Sequence, residues 1–183
     1  MNNFEDIDNF VPPKRKKVVR NAQAYDETEA YITRKIENAL EEIRGIFEDN
    51  QTHRLLRDDI EDGIRRYQDY SIRGNFKAHY IEIGVPHNEC MFEHVLPINE
   101  VRELLLGGKI TIRQALNTPT CLLRKTNDQK LTESGLVKST PSRRFFFKRY
   151  LSLGAEFKTY NGYQIQNLET WSLQDHFNFF KIP

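Results

Sequence analysis

Cys90-Met91-Phe92-Glu93-His94-Val95-Leu96-Pro97 reads as a short extended segment stopped by a proline. On its N-terminal side, Gly84-Val85-Pro86-His87-Asn88-Glu89 has turn composition. Before that, Phe76-Lys77-Ala78-His79-Tyr80-Ile81-Glu82-Ile83 alternates as a strand does. On the C-terminal side, Asn99 to Leu106 is patterned as a helix, with Asn99 as cap and Gly107-Gly108 as stop. Thr111 to Leu116 predicts another short helix. Thr120-Cys121-Leu122-Leu123-Arg124 is a β-prone run, and Asn127 to Ser134 opens a helix that ends at Gly135. Short strands mixed with helices make this half of the chain, residues 76–183, a small α+β domain.

The N-terminal part has a different texture. Residues 1–25 read as an irregular basic arm, because Pro12-Pro13 blocks a helix and Lys14-Arg15-Lys16-Lys17 follows. Residues 26–75 read as a helical hairpin. Asp26-Glu27-Thr28-Glu29 is an N-cap with a glutamate three residues on. Tyr31, Ile32, Ile36, Leu40, Ile43 and Phe47 then form one apolar stripe, and Leu55, Leu56, Ile60, Ile64 and Tyr67 form a second over residues 51–70. A Gly74-Asn75 break ends this part. Such a hairpin either packs on the rest of the chain or forms a homodimer through residues 26–70. Residues 143–183 are rich in aromatics, from Phe145-Phe146-Phe147 to Phe179-Phe180.

The chain has 183 residues and a formal net charge of +1. A near-neutral total argues against a nucleic-acid partner only if the charge is evenly spread. It is not. Residues 1–75 carry a balance of −3 and residues 76–183 a balance of +4; residues 109–158 hold 11 basic and 3 acidic residues. The apolar runs are too short to cross a bilayer, so no membrane span is expected. The start Met1-Asn2-Asn3-Phe4-Glu5-Asp6 does not read as a secretory signal. With only Cys90 and Cys121, a disulfide scaffold is excluded, and the simplest setting is a reducing cytoplasm.

The chemistry-bearing string is Glu93-His94. On an extended backbone, neighbours point to opposite sides, so the carboxylate can ligate a divalent metal while the imidazole takes a proton from water. Phosphodiester hydrolysis needs both an activated water and a cation to offset phosphate charge. A hard cation such as Mg²⁺ prefers oxygen ligands and keeps several waters, so one or two protein ligands suffice.

Glu93-His94-Val95-Leu96-Pro97, followed in order by Asn117 before the Thr120–Leu123 run and by Asn127 three residues ahead of Lys130, resembles the HNH, or ββα-metal, nuclease family. Pro141, Arg149-Tyr150 and Gly154 fall in the order seen in bacterial and phage HNH restriction-like nucleases. The resemblance spans about residues 78–154. It implies a ββα-metal core with Glu93 as metal ligand, His94 as general base, and Asn117 pinning the loop that orients His94. It implies Asn127 as second ligand, with Asp128 as the rival, because a carboxylate binds Mg²⁺ better than a carboxamide. Mg²⁺ is the first choice of metal, with Mn²⁺ and Zn²⁺ as alternatives. The sequence departs from the pattern in the long separation of Glu93 from Asn127 and in lacking paired Cys-x-x-Cys knuckles.

Plainer roles exist for the same residues. His94 fits a half-buried strand, Asn127 fits an N-cap, and the cysteines fit a core. In Arg143-Arg144-Phe145-Phe146-Phe147-Lys148-Arg149-Tyr150 the phenylalanines read as core, and the cations, with Lys130, as phosphate contacts. The sequence therefore points to a metal-dependent endonuclease acting on DNA. The alternatives are a non-catalytic nucleic-acid-binding viral or bacterial accessory protein, and an interaction protein whose working part is the hairpin.

Overall fold

A computed structural model describes residue 8 and residues 29–45, 50–73 and 77–183. The Lys14–Lys17 run, the helix cap at Asp26 and the Gly74-Asn75 break lie outside the described residues. The protein is α+β. Helices α1 (Glu29–Gly45) and α2 (Asn50–Tyr67) form the expected hairpin, and α2 continues into a π-helical turn at Gln68–Ile72. Four strands follow: β1 (Tyr80–Glu82), β2 (Cys90–His94), β3 (Thr120–Arg124) and β4 (Phe157–Thr159). Between and after them come helices α3 (Ile98–Leu106), α4 (Ile112–Leu116), α5 (Lys125–Glu133) and α6 (Leu173–Phe179).

The sheet order is β2-β3-β1-β4. β3 pairs antiparallel with β2 and parallel with β1, and β4 closes the far side antiparallel to β1. In the β2–β3 register Glu93 faces Cys121 and His94 faces Thr120. Helix α5 leaves β3 directly and packs back on both strands. β2, β3 and α5 thus follow one another as two antiparallel strands and a helix, with α3 and α4 inserted between the strands.

Much of the hairpin stripes is covered within the chain, although Tyr31 and Leu55 stay exposed. Ile32, Ile36 and Ala39 of α1 and Leu56, Ile60 and Ile64 of α2 are buried in the same hydrophobic cluster as Leu104, Leu123 and Phe147. The two helices approach closely at Gly63, where a Cβ would lie 3.2 Å from Ile36 Cγ1. Helix α2 also docks on α3 through charge: Arg102, nearly fully buried, pairs with Glu61 and with Glu103, and Arg57 Nη1 reaches Glu103 at 3.3 Å.

Several boundaries differ from the sequence expectation. α3 begins at Ile98 with Pro97 as its cap, not Asn99; proline's fixed φ of −54° suits the entry to the helix. The first strand pairs only over Tyr80–Glu82, where it has partners on both sides. α5 starts at Lys125, so Asn127 lies inside the first turn and is not its N-cap. Glu82 serves this helix end from β1: its Oε2 accepts the Arg124 N–H at 2.7 Å and its Oε1 accepts the Asn127 amide at 2.8 Å.

The aromatic C-terminal stretch encloses the sheet. Phe146, Phe147 and Tyr150 sit on a 3₁₀ segment, Phe146–Leu153, and all three are buried with Tyr80, Phe157 and Phe177. Helix α6 is secured by a capping box between Ser172 and Asp175. It brings His176 under the sheet. The Tyr80 hydroxyl donates to His176 Nδ1 at 2.9 Å and accepts from Trp171 Nε1 at 2.9 Å, while His176 Nε2 donates to the Asn117 carbonyl at 2.8 Å. Every polar atom of this set is satisfied only if His176 is neutral.

Burial therefore pushes His176 down to about 3, with the Asn117 carbonyl opposing it, and pushes His79 well down as well. Between pH 6.5 and about 3 the unfolded chain binds a proton at His176 that the native chain does not. Stability is unaffected by this group above pH 6.5 and falls as pH drops below it, by about 1.4 kcal/mol per pH unit for each such histidine. Urea midpoints are expected to be flat from pH 7 to 8 and to fall between pH 6.5 and 5, above the carboxylate range. A flat profile across that interval would show that these histidines charge in the native state.

Candidate active site

Strand β2 is an edge strand, and its last two residues carry the candidate chemistry. The pleat sends Glu93 to the sheet face shared with Cys121 and Tyr80, and His94 to the opposite face with Thr120. Because β2 has a partner on one side only, both faces adjoin its open edge.

Arg149 organises the Glu93 side. It is fully buried, yet its guanidinium meets four oxygens. Nη2 pairs with Glu93 Oε1 at 2.8 Å and reaches the Val137 carbonyl at 3.3 Å; Nη1 donates to the carbonyls of His94 and Val95, each at 3.0 Å. One cation thus holds the carboxylate and fixes the backbone where the strand ends. Burial pushes the Glu93 carboxyl up, Arg149 opposes that, and the negative charge of Asp128 adds to it. Cys121, fully buried beside the Tyr150 hydroxyl at 3.8 Å, has its thiol pushed well up by burial and is unreactive as a nucleophile.

His94 is half-buried, its ring edge-on to Phe92 at 5.3 Å between centroids. Arg73 lies over that same Phe92 ring at 5.7 Å. Nδ1 of His94 is 2.7 Å from Gln68 Oε1, on the π-helical turn that follows α2. Burial pushes the imidazole down to about 3, and the charges of Arg65 and Arg149 push the same way. His94 is therefore neutral throughout the physiological range.

The remaining expected residues fall in distinct places. Asn127 is buried on α5 with its amide nitrogen committed to Glu82, which leaves Oδ1 as its ligating atom. Asp128, half-buried beside it, is the group whose charge reaches Glu93. The Asn117 side chain donates to the Arg113 carbonyl at 2.9 Å, at the end of α4, and the side chain bonded to His94 is Gln68 instead. Lys130 is exposed at the rim of an open depression of about 360 Å³ that Glu82, Arg124, Asn127 and Glu156 also line.

Arg143 is paired with Glu100, Nε to Oε2 at 2.7 Å. Arg144 and exposed Lys148 flank the Phe145 ring at 5.0 and 5.1 Å. Arg149 is enclosed, so its cation acts on the protein itself. Among the described residues no group of three or more His, Cys, Asp or Glu side chains converges as a metal cage. Glu93, Asp128 and Asn127 Oδ1 are all oxygen donors, the type a hard cation prefers, but the one side-chain partner of Asn127 among the described residues is Glu82.

Gln68 and Glu82 have no part in the sequence reading of the site, though each left a trace; Arg149 is read there as a phosphate contact and is instead buried against Glu93. Gln68 lies four residues after Ile64 and eight after Ile60, a polar side chain continuing an apolar stripe. Arg149 is a cation inside an aromatic run. Glu82 alternates with buried Tyr80, so it points inward. The chain matches no protein-family model, no curated protein and no solved structure.

Removing Arg149 strands Glu93 and three carbonyls. Arg149→Met is expected to cost about 3–5 kcal/mol of stability, because it leaves an uncompensated buried carboxylate. Glu93→Gln keeps an acceptor for Nη2 and is expected to cost less. Urea unfolding of both variants checks the order; equal losses would mean that the ion pair is not what Arg149 supplies.

Proposed function

We propose that this chain is a metal-dependent endonuclease that hydrolyses DNA phosphodiester bonds with His94 as general base. The observation that carries the reading is the Glu93-His94 pair at the end of an edge strand, where one buried arginine holds the Glu93 carboxylate and the His94 backbone carbonyl, and Gln68 holds the neutral His94 imidazole. A general base must be unprotonated at the working pH, and His94 is. Burial is the main cause of its low basicity, and the charges of Arg65 and Arg149 add to it. A phosphate drawn to Arg65 would offset that part of the effect and raise the imidazole's affinity for the proton of the attacking water.

Glu93, with Asp128 or Asn127 Oδ1, would hold a divalent cation, Mg²⁺ first and Mn²⁺ or Zn²⁺ as alternatives. When bound, the cation supplies positive charge against the scissile phosphate and the leaving oxygen. Arg149 keeps Glu93 and the strand end in place. Lys130, Arg143, Arg144 and Lys148 add cationic character for phosphate contact, which makes binding fall with salt. One such site cuts one strand, so double-strand cleavage would take two copies of the chain. The reading sets the protein in a reducing cytoplasm, where the unpaired Cys90 and Cys121 remain thiols. No helix among the described residues is long and apolar enough to cross a membrane.

A second reading, a nucleic-acid-binding protein without catalysis, draws on the same ion pair: Arg149 withholds one oxygen of Glu93 from any cation. The two readings part in one assay. Supercoiled plasmid is expected to be nicked in Mg²⁺ or Mn²⁺ and to stay intact in chelator, with His94→Ala about 10²- to 10⁴-fold slower. Cleavage that survives His94→Ala removes His94 as the base. Salt-sensitive retention of DNA with no cleavage in any metal supports the second reading.

A further inference from the structure

We propose that Gln68 is a positioning residue: it fixes His94 as the Nδ1–H tautomer and so leaves Nε2 as the basic nitrogen. The inference rests on the hydrolytic reading of His94 given above. It also gives the helical hairpin a part in the site, since Gln68 sits on the π-helical turn that ends it. Single π turns in helices are frequent at functional sites, because the extra residue re-aims the side chains around it.

The argument is one of donors and acceptors. Gln68 is fully buried, and its Nε2 lies 2.8 Å from Thr118 Oγ1, 3.3 Å from the Leu116 carbonyl and 3.4 Å from the Thr118 carbonyl. Carbonyls only accept, and the Thr118 hydroxyl proton is given to the Ala115 carbonyl at 3.2 Å. All three neighbours are therefore acceptors toward Gln68. A flipped amide would set its oxygen against three other oxygens, so the nitrogen must face them. Oε1 then faces His94 Nδ1 at 2.7 Å and can only accept. The proton of the neutral imidazole is held at Nδ1. Nε2 has no hydrogen-bond partner among the described residues. A base oriented in this way is in the correct tautomer before substrate arrives, as the acceptor behind a catalytic histidine generally ensures.

Another buried histidine provides an internal contrast. His176 donates from Nε2 to the Asn117 carbonyl and accepts the Tyr80 hydroxyl at Nδ1, so its proton lies on Nε2 and His94 is set apart from it by Gln68.

Long-range ¹H–¹⁵N correlation spectra of the histidine-labelled chain at neutral pH read the tautomer directly, with His94→Ala assigning the resonances. The wild-type chain is expected to show His94 protonated at Nδ1 and His176 protonated at Nε2. Gln68→Met is expected to move His94 toward the Nε2–H form and to slow plasmid cleavage by about 10- to 100-fold in kcat with KM little changed. Thr118→Val removes the anchor that orients Gln68 and is expected to shift His94 in the same direction as Gln68→Met, which covers the case in which that variant fails to fold. An Nε2–H tautomer in the wild-type chain, or an unchanged tautomer in both Gln68→Met and Thr118→Val, overturns the proposal. An Nδ1–H tautomer that responds to Gln68 in a chain that cuts no DNA in any metal would overturn the nuclease reading and leave the tautomer assignment standing.

Discussion

One buried guanidinium sets the terms for the rest of the molecule. Arg149 comes from the 3₁₀ segment between α5 and β4, and it meets the end of β2. A lone cation in that position would be prohibitively expensive to desolvate. It is tolerated because a carboxylate and three carbonyls surround it, and charge-assisted hydrogen bonds of this kind are among the strong ones. The consequence is structural as well as electrostatic. The carbonyls of His94 and Val95 lie where the strand stops pairing, where backbone acceptors would otherwise need water. Arg149 takes them up, so the strand can end at a defined point beside a packed aromatic core.

That arrangement ties together segments far apart in the chain. The aromatic string that brings Arg149 in also supplies Phe146, Phe147 and Tyr150 to the core, so the cation is delivered by hydrophobic packing and held by polar contacts. On the other sheet face, the hairpin docks through Arg102, Glu61, Glu103 and Arg57, and its final turn places Gln68 against His94. The hairpin thus packs on the same core as the candidate site, and most of its apolar stripe is buried there. Glu82 does a similar service for α5, capping a helix whose own first residues offer no side-chain cap.

Most elements of the fold were legible in the sequence, because they depend on local signals. The two apolar stripes, a strand within the Cys90–Pro97 segment, the short helix before Asn117, and the β-prone Thr120–Arg124 all appear where periodicity and residue type put them. The errors lie at boundaries. Asn127 looked like a cap because asparagine favours caps, but the cap is supplied by a carboxylate 45 residues earlier. The C-terminal stretch read only as aromatic-rich, since its strand β4 is three residues long and its helix α6 seven, too short for periodicity to speak.

The sequence by itself determined which residues are candidates for chemistry: the adjacent Glu93 and His94, the Asn127-Asp128 pair, and a basic stretch with few acids. These are statements about residue type and order, and local pattern suffices for them. Only the tertiary structure decided what each one faces. It turned Arg149 inward, committed the Asn127 amide to Glu82, left Asn117 at a helix end, and brought Gln68 to His94 across 26 residues of chain. The physical reason is that buried polar groups must find partners, and which partner is within reach depends on how helices and sheet pack rather than on neighbours in sequence.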